Sequence, residues 1–312
     1  MNIHGLFSSL FHRDSCSTSL QESVIEIECV KSGTDDRLIY DIKLDRELVV
    51  VDVGCRWGFA EQFTKDAGHF RVYGFDCDIE ECDELNRRYK GSAVTIIPIG
   101  LAGKIGKRTL YVTQEPACSS LFKPDAQLTE NYPALYCARH ISTVDVETTT
   151  LDNWSEEYGV HIVDYIKIDT QGTELEILEG GINILRTVRA LEIEVEFNPI
   201  YSGQPVFSDV DSFLRSEGFV LWKLTNQVHY SKEGSSDEPI GEDIVCYDGR
   251  HKERHKIFGG QLYWANAHYI KKSILDVEDS ETQKNRDIIL FHTLGMLDVV
   301  NHIYGSNWKG VK

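Results

Sequence analysis

Two ionisable side chains stand at the end of a short alternating run near the middle of the chain. Lys167 and Asp169 alternate with isoleucines, so both polar side chains leave the same face of a predicted strand. Asp169 lies at the carboxyl end of that strand, the edge where open α/β sheets bind ligands. A carboxylate there could act as a general base, with Lys167 as its electrostatic partner. A purely structural ion pair is the alternative interpretation.

Three glutamates near this run could complete the same site. Glu174 falls in the first helical turn after Gly172, while Glu194 and Glu196 share one face of the next predicted strand. We place Glu194 with the catalytic residues, and Glu174 and Glu196 with substrate binding. Asp169 and the two strand glutamates could also hold Mg²⁺. Because no histidine or further carboxylate falls at an obvious neighbouring strand end, we expect a reaction without a metal.

A glycine-containing turn upstream indicates a site for a cofactor. Asp52, Gly54 and Gly58 follow one another at the end of a buried strand, and a Cβ at a glycine would keep a ligand away from the backbone. Trp57 is the tryptophan close enough in sequence to join them. Asp76 ends the following strand, about twenty residues after Gly54, the offset at which an acid binds ribose hydroxyls. The G-x-x-x-G spacing lacks a pyrophosphate cradle and so favours a nucleoside-bearing cofactor over a dinucleotide.

Strands and helices are predicted to alternate around these residues. The run Leu48–Val53 is continuously apolar, as in a parallel strand buried on both faces. Helices are expected at 57–67 and 78–90, and the S-x-x-D pattern at Ser208 predicts the start of another. The later predicted strands are 71–75, 94–99, 163–168, 190–197, 219–224 and 261–270. This order is typical of a doubly wound, Rossmann-like α/β sheet.

The flanking segments divide the chain into three parts. Residues 1–47 are predicted to form an arm followed by a β-hairpin within 25–44. Residues 48–272 form the main domain, and the apolar spacing in 273–312 predicts a helical extension.

Two long connections interrupt the main domain. The polar, glycine-bearing segment 225–258 is interpreted as an insertion or a mobile loop. The region 117–140 has no clear periodicity and contains Ser119 and Ser120, so it is expected to cover the active site and to place these serines against a substrate.

Composition excludes several classes of function. The chain has 312 residues, with 32 Lys+Arg against 50 Asp+Glu and a formal net charge of −18. This acidic balance argues against binding to nucleic acid or to an anionic bilayer, because both need basic surface. No apolar run has the length of a membrane span, and the first residues lack the features of an export signal. The eight cysteines show no framework spacing, so we expect reduced thiols and a cytoplasmic location.

Ordered motifs across most of the chain resemble the FkbM family of S-adenosylmethionine-dependent methyltransferases. The matching stretches are VDVGCRWGF, YGFDCDIEECDELN, the Ser119-Ser120-Leu121 segment, TTLD, YIKIDTQGTELEILEG and Glu194-Val195-Glu196-Phe197. The resemblance implies a seven-stranded methyltransferase sheet whose last strand, 261–270, is antiparallel. It also implies cofactor roles for Asp52, Gly54, Gly58 and Asp76. The family usually has Glu-Pro where Asp76-Cys77 stands, a change that keeps a carboxylate for the ribose but shortens it.

The expected function is therefore transfer of a methyl group from S-adenosylmethionine to a hydroxyl. The family resemblance offers sugar or glycan hydroxyls and hydroxyls of secondary metabolites as acceptors, and a homodimer is possible. A nicotinamide-dependent oxidoreductase is one alternative, which the absence of G-x-G-x-x-G disfavours. A methyltransferase fold kept only as a binding module is the other.

Overall fold

The computed structural model describes residues 42–64, 68–231, 234–235, 239–246, 252–276 and 279–304. All of them belong to one compact unit, Asp36–Trp308. The β-hairpin expected within 25–44 lies, up to residue 41, outside the described part of the chain.

Thirteen strands are found in the described residues. They are β1 (Leu48–Val53), β2 (Phe70–Phe75), β3 (Val94–Ile97), β4 (Gly100–Leu101), β5 (Gly106–Thr113), β6 (His140–Thr149), β7 (Tyr165–Ile168), β8 (Ala190–Glu196), β9 (Phe219–Ser231), β10 (Gly234–Ser235), β11 (Pro239–Cys246), β12 (Lys252–Phe258) and β13 (Gln261–Lys271). The same residues contain ten α-helices. They are α1 (Glu61–Thr64), α2 (Ile79–Arg88), α3 (Ala126–Asn131), α4 (Leu151–Tyr158), α5 (Glu174–Glu179), α6 (Ile182–Leu185), α7 (Phe207–Ser216), α8 (Ser273–Asp276), α9 (Glu281–Thr293) and α10 (Leu297–Tyr304).

The main sheet confirms the predicted fold class. Its strand order is β10-β9-β13-β8-β7-β1-β2-β3, and the strands from β8 to β3 run parallel. The last long strand, β13, is inserted antiparallel between β8 and β9, as predicted. The two-residue strand β10 adds an eighth member to the seven that were expected. Because β1, β2, β3 and β7 are parallel, their carboxyl ends meet at one edge, where ligands bind in such sheets.

Helices cover both faces of this sheet. On one face, side chains from α4, α5, α6 and α7 pack with Val51, Val53, Ile166 and Ile168. On the other face, side chains from α9 and α10 pack on the other side of β1 and β2. The helical extension predicted for the C-terminal segment is thus present through residue 304, and its apolar side chains pack against β1 and β2. No helix of the described residues is both long and apolar enough to cross a bilayer.

Three local predictions were wrong. Of the two interpretations of 225–258, the loop is wrong in the described part: β9 continues to Ser231, and β11 and β12 form an antiparallel hairpin, because strand pairing through the backbone does not require an apolar sequence. The insertion stays a prediction. Helix α7 begins at Phe207 and not after Ser208, since the carboxylate of Asp209 accepts from the N–H of Val206 at 2.9 Å. The helix expected from residue 57 begins only at 61, because the preceding turn contains positive φ angles.

A small second sheet stands beside the carboxyl edge of the main one. Its order is β4-β6-β5, with β5 and β6 antiparallel. The region 117–140 that joins these two strands is not wholly irregular, since it contains α3 and two short 3-10 helices at Pro116–Cys118 and Pro133–Ala138. The edge of the main sheet and the β5–β6 hairpin together enclose a cavity.

Candidate active site

The turn after β1 is held against the end of β7. Gly54 has a φ of 80°, and its N–H donates to the carbonyl of Phe75 at 2.9 Å. A Cβ on Gly54 would lie 2.0 Å from the carbonyl oxygen of Asp169. The glycine is therefore required where two backbones meet, in addition to the space that it was expected to leave for a cofactor.

Trp57 lies in the same turn with a left-handed backbone, φ 72°, which is unusual for a bulky residue. Its N–H donates to Oε1 of Glu81 at 3.0 Å, and its carbonyl accepts from Nη1 of Arg88 at 2.9 Å. These bonds present an indole that is 59% exposed. Gly58 faces Tyr89 instead, whose hydroxyl would lie 2.6 Å from a Cβ.

Asp76 follows β2 and keeps one oxygen available. Its Oδ1 accepts from the N–H of Asp78 at 2.8 Å, and Asp78 pairs with Arg56 at 2.8 Å. Within the described residues Oδ2 of Asp76 has no hydrogen-bond partner. Burial raises the pKa of this carboxyl above its ordinary value. A partly buried carboxylate with a free oxygen suits a ligand that brings its own hydroxyl donors.

Lys167 lies between two carboxylates on one face of the sheet. Its Nζ is 3.7 Å from Oδ1 of Asp52 and 3.5 Å from Oδ2 of Asp169. Burial favours the neutral amine, but the charges of Asp52 and Asp169 outweigh burial and raise the pKa of Lys167, so this side chain remains an ammonium. Burial raises the pKa of Asp52, which is 7% exposed.

Gln171 contacts Asp169 on the side away from Lys167. The sequence analysis did not predict a role for this residue. Its Nε2 donates to Oδ1 of Asp169 at 3.3 Å and also to Glu194. Its Oε1 accepts from the hydroxyl of Tyr201 at 3.0 Å, and its φ is 59°. The available signal was the position of this amide two residues after Asp169 and directly before a glycine turn. Because its amide carries two donor hydrogens and an acceptor oxygen, Gln171 can bond to Asp169, Glu194 and Tyr201 at the same time.

The three predicted glutamates lie beneath the side chains of Lys167, Asp169 and Gln171. Glu174 is 3% exposed, its Oε1 accepts from the N–H of Thr170 at 2.8 Å, and burial raises its pKa to about 7. Burial also raises the pKa of Glu194 and of Glu196 well above the ordinary value, and the nearby charge of Asp169 adds to the effect on Glu194. Glu194 approaches the site through Gln171, whereas Glu174 and Glu196 are buried below it.

A polar row continues across the sheet beyond Lys167. Strand pairing places Glu192 beside Lys167, and His268 beside Glu192. Glu192 accepts from the hydroxyl of Tyr165 at 2.9 Å and from Nδ2 of Asn266 at 2.8 Å. Glu192 lies on the same strand face as Glu194, so the alternation of residues in this strand could have predicted its position beside the site. These bonds fix the Glu192 carboxylate, whose charge adds to those that raise the pKa of Lys167.

The two serines carry structural bonds. The hydroxyl of Ser119 accepts from the N–H of Thr113 at 3.3 Å. Ser120 is fully buried, and its hydroxyl donates to the carbonyl of Gln171 at 2.6 Å and accepts from the N–H of Phe122 at 2.9 Å. The Ser120 hydroxyl therefore fastens the connection 117–140 to the end of β7 and has little capacity left for a substrate.

A cavity of about 650 Å³ joins these groups and has the size of a small-molecule site. The predicted site residues that line it are Gly54, Trp57, Asp76, Ser119, Ser120, Lys167 and Asp169. Those that do not line it are Asp52, Gly58, Glu174, Glu194 and Glu196. No group of three or more His, Cys, Asp and Glu side chains that could hold a metal ion occurs in the part of the chain that the structure describes.

One end of this cavity fits a nucleoside-bearing cofactor. The Gly54 turn, Asp76 and the residues after β3 converge there from three parallel strands. Asp76 supplies a carboxylate oxygen for ribose hydroxyls, while Ile79 and Ile99 provide apolar surface for a base. Asp169 and residues of the β5–β6 hairpin line the same cavity, and Ser120, which pairs with Tyr111 of β5, bonds to Gln171 beside Asp169.

A family model and a named relative match parts of the chain. The methyltransferase FkbM domain model matches residues 51–221. The 2-O-methyltransferase NoeI of Sinorhizobium fredii is 34% identical over 93 residues, and the match covers 26% of this chain and 38% of NoeI. The chain thus spans well under half the length of that relative.

Two solved methyltransferase structures are also similar. A TehB-like S-adenosylmethionine-dependent methyltransferase from Corynebacterium glutamicum is 12% identical, with a TM-score of 0.33 over 76% of this chain and 87% of that one. The magnesium protoporphyrin IX methyltransferase ChlM from Synechocystis, with bound S-adenosylhomocysteine, is 11% identical, with a TM-score of 0.34 over 85% and 92%. Because the family model covers more than half of the sequence, the protein belongs to the FkbM methyltransferase family, and S-adenosylmethionine is its cofactor.

Proposed function

We propose that the protein transfers a methyl group from S-adenosylmethionine to a hydroxyl of a small molecule or glycan. The observation that carries this proposal is the position of Asp169. Its carboxylate lines the same cavity as Gly54 and Asp76, and Lys167 and Gln171 hold it from two sides. A candidate base therefore lies in the same cavity as the cofactor residues.

The proposed chemistry is an in-line displacement. The bound cofactor supplies a methyl group on a positively charged sulfur. The acceptor oxygen forms a bond to the methyl carbon as the carbon–sulfur bond breaks, and Asp169 accepts the hydroxyl proton. Orientation of the two reactants provides most of the acceleration, and the base contributes about 10²–10⁴-fold.

Lys167 acts in this proposal as an orienting charge. Because its neighbouring carboxylates raise its pKa, it does not lose its proton near neutrality and cannot itself serve as the base. It holds Asp169 in place and balances the negative charge that the site collects. Gln171 holds the other carboxylate oxygen, and Glu194 orients Gln171.

A hydroxyl acceptor is supported by the name of the relative NoeI, a 2-O-methyltransferase, although the match covers a short stretch. A sugar or glycan hydroxyl and a hydroxyl of a secondary metabolite both suit the cavity. The net charge of −18 disfavours nucleic acid as the acceptor. The free thiols of Cys55, Cys77 and Cys82 suit a reaction in a reducing cytoplasm.

Two experiments test this function. Calorimetric titrations with S-adenosylhomocysteine and with NAD should show binding of the first compound only, and preference for NAD would favour an oxidoreductase. Release of S-adenosylhomocysteine should then be followed with a panel of sugars, glycosides and hydroxylated metabolites. Hydroxyl-dependent release that Asp169→Asn suppresses supports the proposal. Cofactor binding without release on any acceptor would favour a non-catalytic binding module.

A further inference from the structure

One face of the β5–β6 hairpin carries an apolar patch that borders the cavity, between Arg108 and Ser142 on the same face. Leu110 on β5 pairs directly with Val144 on β6, and Val112 and Val146 lie on the same face of the two strands. All four side chains belong to residues that line the cavity. Val144 is 47% exposed, so its side chain remains accessible to a ligand.

The opposite face of the hairpin is mainly polar. Asp145 and Glu147 alternate with the valines of β6, and Glu147 lies 4.0 Å from Lys107 on the neighbouring strand. The valines of the strand lie on the face that carries Leu110, while Asp145 and Glu147 also contribute to the lining of the cavity. Leu110 and Val144 belong to neither of the two large core clusters that pack on the faces of the main sheet.

The apolar wall and the polar strand end border the same cavity. Lys167 and Asp169 stand at the carboxyl end of β7, while Leu110, Val112, Val144 and Val146 form part of the hairpin side. An acceptor that filled this space would present a hydroxyl to Asp169 and hydrocarbon to the wall. A wholly polar acceptor would lose water at the wall and gain no contact in return.

We infer that the acceptor carries a hydrocarbon group close to the hydroxyl that is methylated, and that the Leu110–Val144 wall binds this group. The inference rests on the proposed function, because it assigns the acceptor to the end of the cavity near Asp169. Each methylene transferred from water to such a wall should improve binding by about two- to fourfold.

The test uses the full chain saturated with S-adenosylhomocysteine and a series of alkyl glucosides from methyl to octyl, kept below their micelle concentrations. Calorimetry should show that affinity rises with each added methylene. Val144→Ser should flatten this rise. Ile141→Ser is the matched control, since Ile141 is 58% exposed on the same strand, does not line the cavity and alternates onto the other face. It should keep the dependence on chain length.

The outcomes separate this inference from the proposed function. The inference is overturned if affinity does not change with alkyl length. It is also overturned if affinity in Val144→Ser rises with alkyl length as steeply as in the wild type. If hydroxyl methylation occurs but methyl and octyl acceptors react equally, the function stands and the inference fails. If chain-length-dependent binding is present and no hydroxyl is ever methylated, the wall stands as a binding surface and the proposed function fails.

Discussion

Nζ of Lys167 lies 3.5 Å from Oδ2 of Asp169, at the carboxyl end of β7. The same ammonium faces the buried Asp52, so one cation orients a carboxylate of the cavity and balances one beneath it. Gln171 holds Oδ1 of Asp169 from the other side. The lone pairs that remain on Asp169 are therefore directed by two fixed donors, which is the arrangement expected of a positioned base.

Replacement of Asp169 by Asn tests the proposed role of Asp169 as the base directly. Affinity for S-adenosylhomocysteine should stay within a factor of about two, because cofactor recognition depends on other residues, while the rate of methyl transfer should fall by about 10²–10⁴-fold. Calorimetry and single-turnover rates provide the two readings, with the exposed Glu179→Gln as a neutral control. Full activity in Asp169→Asn removes it from the mechanism. Loss of wild-type activity in EDTA that added Mg²⁺ restores would instead indicate a metal.

Gln171→Leu should weaken the orientation of Asp169 without removing it. We expect a rate about 10–100-fold lower, since small displacements of a catalytic group have effects of this size. The pH dependence of kcat/KM should also shift, because an amide donor to the base is lost and Glu194 is left without it. A variant that lost only folding stability would keep the wild-type pH profile. An unchanged rate and profile would show that Gln171 is structural.

Asp76→Ala should weaken cofactor binding by about 1.5–3 kcal/mol, the usual scale for hydrogen bonds to a charged group. The free Oδ2 and the location of the carboxylate in the cavity are the reasons. Asp83→Ala on the exposed side of α2 is the control and should bind normally. An unchanged dissociation constant in Asp76→Ala contradicts a role in holding the ribose.

Gly54→Ala should damage both stability and cofactor binding. The added Cβ would stand 2.0 Å from the carbonyl oxygen of Asp169 and would also disfavour the φ of 80°. Gly91→Ala separates these effects, because Gly91 has a φ of 85° but open space around it. The Gly91 variant should lose only about 1–2 kcal/mol of unfolding free energy, and cofactor affinity should stay normal. Equal losses in the two variants would exclude the contact with Asp169.

Stability should decrease as pH rises through the range in which Glu174 ionises. Burial raises its pKa from 4.5 to about 7, so the folded state binds the proton more tightly than the unfolded state. This contribution is complete below pH 4.5 and is lost by about pH 7, and it amounts to about 3 kcal/mol. Urea unfolding between these pH values should show a smaller decrease in Glu174→Gln than in the wild type. Glu179→Gln, on the exposed side of the same helix, should follow the wild type. Parallel curves for all three would contradict the shift.

The sequence predicted the sheet well because its signals were local. The continuous apolar run of β1 and the alternation of Lys167 and Asp169 each follow from burial within a single strand. Gln171 escaped prediction because its partners, Glu194 and Tyr201, are distant in the chain. The burial of Glu174 could not be foreseen either, since a glutamate in a first helical turn has the same sequence pattern whether buried or exposed.

The most direct test of the central claim is the position of the transferred methyl group in the product. The wild-type protein should be incubated with S-adenosylmethionine that carries an isotopically labelled methyl group, and the product of a responsive acceptor analysed by nuclear magnetic resonance. We expect the label on a hydroxyl oxygen, with formation suppressed in Asp169→Asn. A label on nitrogen, carbon or sulfur, or undiminished product from Asp169→Asn, would contradict hydroxyl methylation with Asp169 as the base.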